Sequence, residues 1–84
     1  MKPISATIPI LDIHLSSYLV LNGIHPKFTK QGSRIIFEFA GTPEIYRLME
    51  QYNRNPVVPV LDFVSALRRT RAQMLSERDR LSEG

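Results

Sequence analysis

The chain has 84 residues, 43% of them hydrophobic and 23% charged, with eleven Lys and Arg against eight Asp and Glu for a formal charge of +3. A chain this short buries only roughly 60–65% of the surface its unfolded form exposes, so it holds one domain with a thin core, and its composition excludes disorder, collagen-like and low-complexity classes. The absence of cysteine excludes a disulfide scaffold, a thiolate zinc site, an iron–sulfur cluster and a Cys nucleophile. The longest apolar run falls far short of the ~20 residues a membrane span needs. Residues 1–5 carry no apolar stretch of the signal-peptide kind, so the expected compartment is the cytoplasm. A pI near 9.7 and a mean hydropathy of −0.13 describe a mildly basic soluble domain, below the charge density of a dedicated nucleic-acid binder.

Residues 4–10 (Ile-Ser-Ala-Thr-Ile-Pro-Ile) alternate apolar and small or polar side chains, the period-two signal of a strand. Pro9 has no amide to give to a ladder, which restricts this segment to a sheet edge or an extended arm. Asp12 is placed to cap a helix over about residues 12–22. Leu15, Tyr18 and Leu19 form its apolar stripe, widened by Val20 and Leu21, and Ser16 and Ser17 are small enough to let another backbone come close. Asn22-Gly23 ends it. Gly32 and Gly41 follow at nine-residue steps and read as element boundaries.

Residues 24–40 read as a β-hairpin. With Gln31-Gly32 as its central turn pair, Phe28 opposes Ile35, Pro26 opposes Phe37, His25 opposes Glu38 and Ile24 opposes Phe39. One face then carries Ile24, Pro26, Phe28, Ile35, Phe37 and Phe39, and the other His25, Lys27, Thr29, Arg34, Ile36 and Glu38. Thr42-Pro43-Glu44 is a helix start made of a cap, a proline in the first turn and an acid at the positive end of the dipole. Ile45, Leu48, Met49 and Tyr52 continue it as an amphipathic stripe ended by Asn53-Arg54-Asn55-Pro56. A last helix opens at Pro59 with Val60, Phe63, Val64, Leu67, Met74 and Leu81 down one side. From Arg68 onward it turns polar. The expected architecture is α+β: helix, β-hairpin, helix and long C-terminal helix, with an N-terminal edge strand, in one domain over 1–84. The compact part is expected over about 4–70 and a charged helical tail over about 71–84. A lone hairpin is marginal in water, so helices must roof its apolar face.

Four runs carry a resemblance: Ser17-Tyr18-Leu19-Val20-Leu21-Asn22-Gly23-Ile24, Gly32-Ser33-Arg34-Ile35-Ile36-Phe37-Glu38-Phe39, Thr42-Pro43-Glu44 and Val58-Pro59-Val60-Leu61-Asp62-Phe63. Over about residues 12–70 the chain resembles a family of small bacterial and phage-associated proteins of unknown function. The resemblance implies a short helix ending in Gly, a hydrophobic hairpin and two helices, and it supplies no catalytic residue.

Residues with chemical potential have simpler roles. His14 sits at a helix start beside Asp12, and His25 faces Glu38 across the expected hairpin, so neither is assigned to a metal. No Gly-x-Ser-x-Gly elbow, dinucleotide fingerprint or P-loop is present. Phe28, Phe37, Phe39, Tyr52 and Phe63 are assigned to the core. No catalytic residue, cofactor or small-molecule ligand is expected. Two basic groups are candidate nucleic-acid contacts: Lys27, Lys30 and Arg34 near the hairpin, and Arg68, Arg69 and Arg71 on the last helix. Acidic neighbours dilute both groups, and the hairpin's polar face lacks stacking aromatics. The seven-residue spacing of Leu67, Met74 and Leu81 is the pattern of a helix seam. The leading expectation is therefore a non-catalytic module that self-associates as a weak dimer through Leu67, Met74 and Leu81. A nucleic-acid accessory protein is the alternative.

Overall fold

The computed structural model describes residues 6–82. Six elements follow in order: β1 (Thr7–Ile10), α1 (Ile13–Leu21), β2 (Lys27–Gln31), β3 (Arg34–Ala40), α2 (Pro43–Asn53) and α3 (Val60–Ser82). The strands form one antiparallel sheet in the order β1-β3-β2. The fold is α+β, as the sequence pattern implies. The expected N-terminal strand exists over Thr7–Ile10, while its first residues, Ile4 and Ser5, lie outside the described residues. It sits at an edge, where the missing amide of Pro9 costs the sheet nothing inside.

β3 is the central strand, and its burial alternates without a break: Ile35, Phe37 and Phe39 are buried, while Ile36 and Glu38 are half-exposed on the other face. Ile10 pairs with Phe37 from one side and Phe28 from the other, so one apolar row crosses all three strands at Phe37. The Phe28 and Phe37 rings meet at 5.3 Å and 57°, a tilted contact that adds to their burial.

The hairpin register differs from the expected one. The two turn residues are Gly32 and Ser33, with Gln31 opposite Arg34 and Phe28 opposite Phe37. The reason is steric. Both primed hairpin turns need positive φ at their first central residue, which Gln31 would adopt only at a cost. Sliding the turn by one residue hands that position to Gly32, whose φ is 65°. Each partner thereby moves by two residues, so the division into an apolar and a polar face survives. The strand also begins only at Lys27, which takes the place opposite Glu38 expected for His25.

All the helices lie over the apolar face, and the molecule is 17 Å across its thinnest axis, one sheet and one helix layer deep. The cap of α1 is as expected: Asp12 Oδ1 accepts the amides of His14 at 2.8 Å and Leu15 at 3.2 Å. That of α2 is too, with Thr42 Oγ1 accepting the Ile45 amide at 3.2 Å and a proline in the first turn. α1 is buried nearly all round, with Ser16, Ser17, Tyr18 and Leu19 all inside. It packs most extensively on α3, whose own buried residues are Ala66 and Thr70. Small residues on both helices let them approach closely. The core cluster joins Ile10, Tyr18, Leu19, Phe37, Phe39, Ile45 and Leu48. At the turn from β3 into α2, Gly41 lies so close to the preceding backbone that a Cβ there would stand 2.8 Å from the Ala6 carbonyl oxygen.

At 1.5 Å per residue α3 is about 35 Å long, whereas seven residues of β3 reach only about 24 Å. The helix therefore overhangs the sheet. It stays on the core past residue 70, since Met74 packs against the central cluster.

Phe37→Ala should remove about 3–5 kcal/mol, enough to leave a domain of this size without a folded baseline in urea. Ser16 Oγ is buried with no hydrogen-bond partner among the described residues, and an unmatched buried hydroxyl is a cost. Ser16→Ala should therefore leave the urea midpoint unchanged or raise it; a loss above about 1 kcal/mol would mean that the hydroxyl has a partner.

Candidate functional site

The most exposed apolar surface lies where α2 turns into α3. α2 ends at Asn53 with Arg54 as its C-terminal cap, and Asn55 then takes a left-handed conformation, φ 56°, a role asparagine fills at helix ends. Pro56 after it blocks any continuation of the helix. α3 restarts when the Phe63 amide donates to the Pro59 carbonyl at 3.0 Å. The chain between them is held on the outside. Val57 is fully exposed, Val60 68% and Leu61 76% exposed.

Beside this corner a groove of about 480 Å³ is lined by Tyr18, Tyr52, Pro56, Val58 and Phe63, with Asn53 and Asn55. The Tyr18 and Tyr52 rings pack at 5.5 Å and 53°, and the Tyr18 hydroxyl donates to Gln51 Oε1 at 3.2 Å. Burial pushes the Tyr52 phenol above its ordinary pKa, and the Asp12 carboxylate adds to that. The groove carries no charged side chain.

A second groove, of about 510 Å³, runs along α3 at the end of α1 and is lined by Leu21, Asp62, Ser65, Arg68 and Arg69. A third, of about 310 Å³, sits at the hairpin tip, where Arg34 and Ser33 meet Arg78 over Leu11, Ile35 and Met74.

The hairpin's basic group is split between the two sides of the slab. Lys27 lies on the open sheet face with Thr29 and Glu38. There the Glu38 carboxylate is held by the Thr7 hydroxyl at 2.6 Å and the Thr29 hydroxyl at 3.3 Å. Lys30 pairs with Ile35 and so projects toward the helix side. Arg68, Arg69 and Arg71 are exposed on α3, which covers the other face. At the hairpin tip a hairpin cation, Arg34, shares a groove with a cation of α3, Arg78. Among the described residues, Lys27, Lys30, Arg34, Arg68, Arg69 and Arg71 make no ion pair.

The apolar line on α3 turns mainly inward. Leu67 is half-buried, Met74 packs on the chain's own core, and Leu81 is half-buried in the last turn. Sequence reasoning placed Val60 on that inward line and missed the exposed corner; the signal for it was the proline pair around Val57 and Val58, which keeps two valines out of any helix or strand.

These features define a small one-sided α+β domain whose distinctive surfaces are an apolar corner and three shallow grooves. The chain belongs to the family described as Domain of unknown function (DUF5659), whose model matches residues 5–76. No curated protein and no solved structure matches it. No helix among the described residues is long and apolar enough to cross a membrane.

The raised pKa of Tyr52 has a definite sign in stability. Below about pH 10 both folded and unfolded chains keep the phenolic proton. Above it the unfolded chain loses the proton first, so stability falls as pH rises. Urea midpoints taken on either side of about pH 10 should fall more steeply for the parent than for Tyr52→Phe; parallel curves would mean that the phenol titrates alike in both states.

Proposed function

We propose that this chain is a small non-catalytic interaction module that self-associates as a weak dimer. The observation that carries this reading is the corner of Val57, Val60 and Leu61, at 101%, 68% and 76% exposure. Contiguous apolar side chains left in water by a folded domain mark surfaces that other protein covers. A one-layer core on a chain of this length also gains stability from a partner when disulfides and metals are not used. The outward part of α3 adds Leu75, 39% exposed, whereas the seam expected through Leu67, Met74 and Leu81 adds little, since Met74 packs on the chain's own core.

A second reading is a nucleic-acid accessory protein, favoured by the six unpaired cations and by the meeting of Arg34 with Arg78 at the hairpin tip. The two readings differ in what the chain binds. Sedimentation of the parent at high micromolar concentration should give a dimer mass with no nucleic acid present, and no co-migration of a short DNA duplex or single strand at low salt. Val57→Ser with Leu61→Ser should shift the population toward monomer with unchanged circular dichroism, because exposed substitutions cost the fold itself less than about 0.5 kcal/mol, and should lower the melting temperature only by what dimerisation contributes at that concentration. A parent that is monomeric throughout overturns the proposal, and nucleic-acid binding that falls steeply with salt favours the second reading.

A further inference from the structure

We infer that the second copy docks antiparallel along the first half of α3, in the groove lined by Leu21, Asp62, Ser65, Arg68 and Arg69, with each Asp62 paired to the partner's Arg69. This rests on the self-association proposed above and gives it an interface.

The carboxylates of α2 and α3 divide into two kinds. Glu44, Glu50, Glu77 and Asp79 each have an arginine no more than four positions away in sequence within 4.0 Å. Asp62 has none, although Arg68 and Arg69 line the same groove. Helix geometry explains this. Asp62 and Arg69 are seven residues apart, which places them within about 20° of one face and about 10 Å apart along the axis. That is too far for a pair within one chain. An antiparallel copy related by a twofold axis midway between them brings each Asp62 level with the partner's Arg69, and the pairing occurs twice because a twofold interface is self-complementary.

The midpoint falls at Ser65 and Ala66. Ser65 is exposed and small, so the two helices meet without a bulky side chain between them. Leu21, half-buried at the end of α1, forms the apolar wall of the groove. Leu61 stands next to Asp62 at 76% exposure and gains cover from the approach. Arg68 has no carboxylate of its own across the axis, so the pair keeps a surplus of positive charge, which makes the dimer weak.

The test is a charge exchange read by sedimentation equilibrium on the full chain. Asp62→Arg places two cations opposite each other at both symmetry-related contacts, and Arg69→Asp places two anions there. Each variant alone should raise the dimer Kd by about tenfold or more. An equimolar mixture of the two should form a heterodimer about as tight as the parent, because every cation then faces an anion. Both positions are exposed, and unchanged circular dichroism, with a melting temperature that matches the parent's at concentrations too low for dimerisation, confirms that folding of each variant is intact. If the parent is a dimer but both single variants dimerise like the parent, or the mixture gains nothing over its components, this interface is wrong while self-association stands. If the parent is monomeric at every concentration, the underlying proposal fails and this one with it.

Discussion

The apolar row that crosses the sheet at Phe37 is the constraint from which the rest of the molecule follows. β3 has strands on both sides, and its buried residues Ile35, Phe37 and Phe39 all project to one face because side chains alternate along a strand. Ile10 and Phe28 extend that row to the two edges. Every helix must then stack on this one face, and the opposite face is left to water. The polar groups there serve one another, as when Thr7 and Thr29 both donate to Glu38. A sheet covered on one side with three strands and three helices has a core only one layer deep, which is why a single buried ring carries so large a share of the stability.

Crowding in the helix layer follows from the same geometry. α1 has α3 and α2 as neighbours and the sheet beneath, so it is interior on nearly all sides, and a helix that is apolar all round is what such a site requires. Ser16 and Ser17 trade hydroxyl desolvation for closeness. The Ser17 hydroxyl recovers its bond from the Ile13 carbonyl at 2.7 Å, whereas Ser16 Oγ and Thr70 Oγ1 do not find one among the described residues. α3 is longer than the sheet it crosses, and the proline-bearing corner before it has no room in the layer. The apolar corner and the charged outer side of α3 are therefore consequences of a chain that has filled its only interior face.

Those outer surfaces carry the features on which the proposed function rests. The charges on them are unevenly distributed: most helix carboxylates are matched within their own helix, while Asp62 and a set of arginines are not. The three grooves are shallow and open to the surface. Membership in the family of unknown function fits a fold whose recognisable sequence signals are caps, turns and alternation rather than reactive groups.

Local rules in the sequence determined much of this protein. Asp12 and Thr42-Pro43 set the starts of α1 and α2 because a cap acts on amides two or three residues away. The alternation of β3 set the two faces of the sheet, and faces depend only on parity, so they survive a shift of two in register. The turn itself was also decided locally, by the need for positive φ at Gly32. Burial of α3 was decided elsewhere. Its apolar spacing is equally suited to a partner helix or to the chain's own core, and only the position of α1 and the sheet turned Met74 inward and made Ala66 and Thr70 the buried residues. The grouping of Asp62, Arg69 and Leu21 in one groove is tertiary for the same reason. Leu21 and Asp62 lie 41 positions apart in the chain, and no local pattern encodes which face of one helix will meet the end of another.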